Sequence, residues 1–364
     1  MLQSANERAL KGRASRPPAR RVMAVDLFCG AGGLTRGLID AGVDVAAGYD
    51  IDGASKYAYE HNNKSSVFIN ESVADITGED LSAHYPAGCW RVLVGCAPCQ
   101  PFSIYVQGRN SGADAKWGLL YHFGRLAGEL SPDIISMENV LGLQRHKIYR
   151  EFLATLDRLG YHVSGHELYC PDYGIPQNRT RLVLFASRHG PIHIVPPTHE
   201  PEGYVTVRSA LSDLARLKAG GATATDQLHR SSSLSAVNLL RIKHSKPGGT
   251  WRDWPKGLIA KCHRKKKGKT YPSVYGRMKW DKPSPTITTQ FFGFGNGRFG
   301  HPDQDRAISL REGAMLQTFP RDYEFVEPGT QYSFKAIGRM IGNAVPVRLG
   351  VVIGKTIVRH LEKL

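Results

Sequence analysis

Four short constellations in this 364-residue chain carry side chains that could do chemistry. The first is Cys29-Gly30-Ala31-Gly32-Gly33, which follows an apolar run and opens a helical pattern. Backbone amides and a helix N-terminus in such a loop can face an anionic or carboxylate-bearing ligand. Asp50 ends the next apolar run, where an acid commonly takes the ribose hydroxyls of a nucleoside-type cofactor. Gly30-x-Gly32-x-x-Thr35 lacks the third glycine of the dinucleotide fingerprint. A nucleoside without pyrophosphate, such as S-adenosylmethionine, therefore fits better than NAD, and a purely structural turn is the competing reading.

The second constellation is Gly95-Cys96-Ala97-Pro98-Cys99-Gln100-Pro101-Phe102-Ser103, just past another apolar run. A cysteine there can be a nucleophile if its thiolate is stabilised. Cys96 and Cys99 also form a C-x-x-C, which admits dithiol redox chemistry. A structural zinc site would need a second pair at suitable spacing, and Cys262-His263 is only an unpaired fragment, so no metal is expected. The third is Met137-Glu138-Asn139-Val140, whose carboxyl group could be held protonated and act as an acid. The fourth is Gln177-Asn178-Arg179-Thr180-Arg181; alternate arginines on a strand share a face and could reach one anionic or carbonyl group. Each has a plain alternative: a buried cysteine, a helix-capping glutamate, surface arginines.

The elements that must position these residues alternate between β-rich runs and helical patterns. Strands are expected at 22–28, 43–49, 91–95, 133–137 and 181–186, with helices at 34–41, 119–130 and 149–159. This alternation predicts an α/β, doubly wound, mostly parallel sheet. Open sheets of this kind bind ligands at the carboxyl ends of their strands, where the first three constellations fall; the fourth opens a strand. From about 191 to 325 the composition is loop-like, which predicts a smaller, irregular second domain; 326–364 is apolar again and is expected to pack back on the first domain, 22–190.

The net charge of +16 is concentrated in two segments. Residues 1–21 carry a net +5 without apolar periodicity, as expected of a disordered basic arm. Residues 239–282 carry a net +12, including Lys265, Lys266 and Lys267, with Trp251, Trp254, Tyr271, Tyr275 and Trp280 interleaved. Basic groups meet phosphates, and the aromatics can either stack on bases or pack inside. The chain has no uninterrupted apolar run of membrane-spanning length and no apolar signal-peptide core, and its six cysteines show no disulfide framework. No membrane association and a reducing cytoplasm are expected.

Taken together, the constellations resemble the DNA (cytosine-5)-methyltransferase family. The match begins at Asp26-Leu27-Phe28-Cys29-Gly30-Ala31-Gly32-Gly33 and continues through Pro98-Cys99-Gln100, Glu138-Asn139-Val140 and Gln177-x-Arg179-x-Arg181. It ends with Arg311-Glu312, Leu316-Gln317-x-Phe319-Pro320 and Gly342-Asn343-Ala344-Val345-Pro346. The blocks run in the family's order over nearly the whole chain.

The resemblance implies a Rossmann-like, S-adenosylmethionine-dependent methyltransferase fold with a smaller irregular target recognition domain at 191–325. Cys99 would be the nucleophile, adding to C6 of a flipped cytosine. Glu138 would contact the ring nitrogen and exocyclic amine, and Arg179 and Arg181 the base carbonyl and neighbouring backbone. Phe28, Gly30, Gly32, Asp50, Asp75, Pro98 and Asn343 would surround the cofactor, Asp50 standing where the family more often has Glu. Gln100, Ser103, Thr286, Lys265, Lys266, Lys267 and Arg298 would contact DNA. The implied partners are duplex DNA and a cognate restriction endonuclease or defence proteins. A monomer, associated with the nucleoid through DNA, is expected.

The chain departs from the family's pattern at Cys96 and Ala97, at Lys116, and at Met315, which occupies a usual Arg position. A tRNA cytosine-5 methyltransferase shares the same motifs and is the nearest rival; a non-catalytic DNA-binding relative and a dithiol oxidoreductase are others. The nucleophilic reading expects substitution of Cys99 to abolish transfer and that of Cys96 largely to spare it.

Overall fold

The computed structural model describes residues 20–98 and 113–364, except for the side chains of 113–117 and of Lys267. The amino-terminal half alternates strand and helix: β1 (Val22–Leu27), α1 (Gly33–Asp40), β2 (Asp44–Tyr49), α2 (Lys56–Asn62), β3 (Val67–Ile69), α3 (Gly78–Ser82), β4 (Trp90–Gly95), α4 (Ala113–Leu130), β5 (Ile134–Asn139), α5 (Lys147–Arg158), β6 (His162–Tyr169), β7 (Gln177–Asn178) and β8 (Thr180–Ser187). The rest holds short elements: α6 (Val207–Leu211), α7 (Ala236–Lys243), α8 (Lys261–Arg264), α9 (Lys266–Lys269), β9 (Ser284–Pro285), α10 (Leu310–Leu316), α11 (Phe334–Asn343) and α12 (Val347–Leu361).

Seven strands form one sheet in the order β3-β2-β1-β4-β5-β8-β6. The pairs from β3 to β5 are parallel, and β8 runs antiparallel to both β5 and β6. Apart from Asp26 and Arg91, β1 and β4 are apolar throughout, because helices cover both faces of the sheet. One face carries a core with Phe123, Leu126, Phe152 and Leu156 from α4 and α5; the other carries Leu34, Leu38, Leu349 and Ile353 from α1 and α12. The α1–α12 contact is close: a Cβ on Gly37 would lie 2.2 Å from the Val347 carbonyl oxygen, so only glycine fits. Strand order reverses at β1, whose neighbours are β2 and β4, which opens a crevice at the carboxyl ends of these strands.

The lone reversed strand, β8, follows from connection length. A parallel pair needs a long crossover, whereas β6 returns into β8 through about ten residues and must run antiparallel. Phe334–Leu361 would be long and apolar enough, by length and composition, to cross a bilayer. Its apolar 18-residue window is 67% buried in the protein, and Pro346 separates α11 from α12, so the segment serves as a core helix pair.

A third core joins Val207, Leu228, Ile287 and Phe291 to α10 and α11, and runs through Phe319, Tyr323 and Phe325 to Ile337. Arg20 and Arg21, expected in the basic arm, are instead fixed to the body: Arg20 donates to the Gly88 and Cys89 carbonyls and lies over the Trp90 ring, and Arg21 pairs with Asp44.

Candidate active site

The loop after β1 is shaped by three residues in left-handed backbone: Phe28 (φ 61°), Gly30 (φ 51°) and Gly32 (φ 86°). A Cβ on Gly32 would strike Asn63 at 2.6 Å, whereas a Cβ on Gly30 would meet nothing within 4 Å. Gly30 therefore borders open space, and its amide donates to Asp50 Oδ2 at 2.9 Å. Asp50 Oδ1 accepts from the Asp52 amide at 2.8 Å, and burial raises the Asp50 carboxyl above its ordinary value. The N-cap Gly32 has no side chain to cap α1, and the Thr35 amide of the first turn faces the Asp26 carboxyl. Ile51, beside Asp50, is 76% exposed, an apolar side chain held in the open next to this cradle.

Beneath the loop lies a buried polar network. The Thr35 hydroxyl donates to Asp26 Oδ2 at 2.7 Å and stands 3.1 Å from the Tyr59 hydroxyl, which is 2.6 Å from Ser66 Oγ. Burial pushes the Asp26 carboxyl up to about 7. The Tyr323 hydroxyl donates to the Ala31 carbonyl at 2.5 Å, tying the segment after α10 to the loop after β1.

The second group of side chains gathers where β4 and β5 end and β8 begins. Gly95 pairs with Met137, and Asn139 with Leu182, so the residues beyond these strand ends share one rim. Glu138 is 2% exposed. The Cys96 thiol donates to its Oε2 at 2.8 Å, and Arg181 Nε lies 3.0 Å from its Oε1. Asn139 Nδ2 donates to the Ala97 carbonyl at 3.0 Å, holding the peptide before Pro98. Arg179 is buried; it makes only long contacts, 3.5 Å to Gln177 Oε1 and to the Ile287 carbonyl, and its Nε has no partner among the described residues. Burial, with Arg181 beside it, pushes Arg179 down to about 10. Of the two arginines, Arg181 forms the ion pair with Glu138. Cys99, Gln100 and Ser103 lie outside the described residues.

A pair of buried amides joins this rim to the carboxyl-terminal half. Gln177 Nε2 donates to Gln317 Oε1 at 2.8 Å, and Gln177 Oε1 accepts from the Ile287 amide at 2.8 Å. Gln317 Nε2 in turn donates to the Ile341 and Ala344 carbonyls. Both glutamines stand in the quoted motifs, but their tie spans 140 positions, and only the motifs themselves signal it. Met315, at the usual Arg position, is half-buried and packs against the third core. The segment's polar ties come instead from Arg311–Asp226 at 2.6 Å and from the fully buried Arg306, which is bidentate on Glu312 at 2.7 Å.

Phe28 and Pro98 are half-buried; Asp75 and Asn343 are exposed. Thr286 donates its hydroxyl to the Asn178 carbonyl at 2.7 Å, which engages that proton within the protein. Lys265, Lys266 and Arg298 are exposed. Of the interleaved aromatics, Trp251 and Trp254 are buried in a small core with Ile242 and Phe294, and their indole N–H groups donate to Tyr271 O and Ser245 Oγ. They pack and do not present a stacking face; Tyr271 is 41% exposed.

Comparison with known proteins agrees with this arrangement. The family model of C-5 cytosine-specific DNA methylases matches residues 22–359. The type II methylase M.HgiDII of Herpetosiphon aurantiacus is 56% identical over 343 residues, covering 93% of this chain and 96% of that protein. The type II methyltransferase M.PspPI of a Psychrobacter species is 32% identical, covering 95% and 81%. Among solved structures, a DNA modification methyltransferase encoded within an E. coli prophage shares the fold with a TM-score of 0.72 at 22% identity, covering 94% of this chain and 99% of that one. The chain belongs to the C-5 cytosine-specific DNA methylase family and is a DNA (cytosine-5) methyltransferase.

Proposed function

We propose that the enzyme methylates C5 of a cytosine flipped out of a specific duplex DNA sequence, through a covalent adduct on Cys99, with S-adenosylmethionine as donor. It would act as the modification enzyme of a type II restriction-modification or related defence system, as the names of its relatives suggest. The observation that carries this reading is Glu138: a buried carboxyl at the sheet's carboxyl edge, ion-paired to Arg181, on the same rim as the peptide leading to Pro98 and Cys99.

The cradle after β1 suits the cofactor. The open space at Gly30, the amides of α1, the Asp50 carboxyl and exposed Ile51 offer sites for a carboxylate, a ribose and an apolar ring. Phe28, Gly32, Asp75, Pro98 and Asn343 complete the proposed set. When bound, S-adenosylmethionine supplies the methyl group from its sulfonium.

The protein's own part begins with extracting the base, at a cost of a few kcal/mol. Lys265, Lys266, Lys267 and Arg298 on the 191–325 recognition domain would hold the phosphates, and Gln100, Ser103 and Thr286 would approach the DNA near the emptied position. Such phosphate contacts make binding fall steeply with salt. The Cys99 thiolate adds to C6, which makes C5 an enamine carbon. Glu138, held by Arg181, stabilises the adduct at the ring nitrogen, and Arg179 and Arg181 bind the carbonyl side. C5 then takes the methyl group, the bond from the methyl carbon to sulfur breaking as the new one forms, and loss of the C5 proton with elimination of the thiolate restores the ring. Residues 22–190 and 326–364 would form the catalytic domain.

Bisulfite sequencing of DNA from cells expressing the enzyme tests this reading. Conversion-resistant cytosines at one defined sequence, absent with Cys99→Ala, are expected. Transfer to tRNA with none to duplex DNA would overturn it.

A further inference from the structure

Cys96 is the first residue past β4, and its amide donates to the Leu27 carbonyl at 3.3 Å, so the end of β1 fixes its backbone. The parallel register that pairs Gly95 with Met137 sets Cys96 beside Glu138. Its thiol donates to Glu138 Oε2 at 2.8 Å. The other carboxyl oxygen, Oε1, lies 3.0 Å from Arg181 Nε as an ion pair, yet has no hydrogen-bond donor of good geometry among the described residues. Arg181 thus supplies charge, and the thiol supplies the directional contact. Direction matters, because a hydrogen bond weakens steeply off its axis while a Coulomb contact does not.

We propose that Cys96 is a positioning residue of the methyl-transfer reaction, its thiol holding Glu138 Oε2 so that Oε1 remains for the cytosine base. The proposal rests on the reading of Glu138 as the group that contacts the base. It reverses the sequence-based expectation that Cys96 is dispensable. It also gives the first cysteine of the C-x-x-C a hydrogen-bonding role that serine can share and dithiol chemistry cannot.

The test compares Cys96→Ala, Cys96→Val and Cys96→Ser, using unmethylated plasmid DNA and radiolabelled S-adenosylmethionine. Losing a single hydrogen bond to a catalytic group predicts that Ala and Val lower kcat by about tenfold, with KM for both substrates unchanged within about twofold. Serine, which keeps a donor, should stay within about threefold of wild type. The alanine and valine variants are compared with wild type by thermal melting, so that a folding defect is recognised; the serine comparison then decides. Wild-type kcat in Cys96→Ala, or a Cys96→Ser enzyme as impaired as Cys96→Ala, overturns the proposal. Glu138→Gln is measured alongside. Full activity there overturns the reading of Glu138 itself, whereas its loss beside an unimpaired Cys96→Ala overturns only the role of Cys96.

Discussion

The backbone amide of Gly30 donates to Asp50 Oδ2 at 2.9 Å, locking the loop after β1 to the end of β2 at the carboxyl edge of the sheet. The glycine loop and the acid, twenty positions apart, are therefore one unit. An acid that both shapes the loop and faces the open space at Gly30 is costly to remove.

Asp50→Ala should weaken S-adenosylmethionine binding by at least about tenfold, roughly 1.4 kcal/mol, as measured by isothermal titration calorimetry. Asp50→Asn, which keeps an acceptor for the Gly30 amide, should lose less. Equal affinity in all three proteins would separate Asp50 from the cofactor.

The Gln177–Gln317 amide pair joins β7 to Ile287 just past β9, and the carboxyl end of α10 to α11. Each alanine substitution leaves buried polar partners without a bond and should destabilise the protein by about 1–3 kcal/mol in urea unfolding. The double variant should fall short of the sum, because the two side chains share one network. Additive losses would show that the glutamines act independently.

Arg306 and Glu312 form a fully buried, bidentate pair, with His301 beside it pushed down to about 4 by burial. Glu312→Gln strands a buried guanidinium and should cost about 3–5 kcal/mol of stability. A loss below about 1 kcal/mol in the same denaturation assay would contradict this account.

Asp26 gives a pH dependence of definite sign. Its carboxyl is raised from 3.8 to about 7 by burial, so its protonated form is the one the folded state accommodates. Its contribution is fully present below about 3.8 and is lost as pH rises through about 7. The Tm of wild type should therefore fall relative to Asp26→Asn across this window. A parallel pH profile for the two proteins would place the Asp26 carboxyl near its ordinary value.

Much of the α/β frame was legible because its strands are mostly apolar runs and its helices close on glycines, as at Gly42. The reversal of β8 was not, since Thr180–Ser187 is equally apolar in either direction and only its short connection to β6 orients it. Composition could not decide whether Trp251 and Trp254 meet bases or one another's neighbours; their paired indole N–H groups decide for packing. The motif blocks located Glu138 and Arg181, but the Cys96–Glu138 contact depends on the register of strands 42 positions apart. Pattern within one strand carries no such register.

The central claim, covalent catalysis by Cys99 on a flipped cytosine, is tested most directly with a duplex carrying 5-fluorocytosine at the position mapped by bisulfite sequencing. With S-adenosylmethionine present, the wild-type enzyme should form an adduct that survives denaturing electrophoresis. Cys99→Ala should bind the same duplex without forming it. An adduct that persists in Cys99→Ala, or none with wild-type enzyme under conditions where the duplex is bound, would contradict the account.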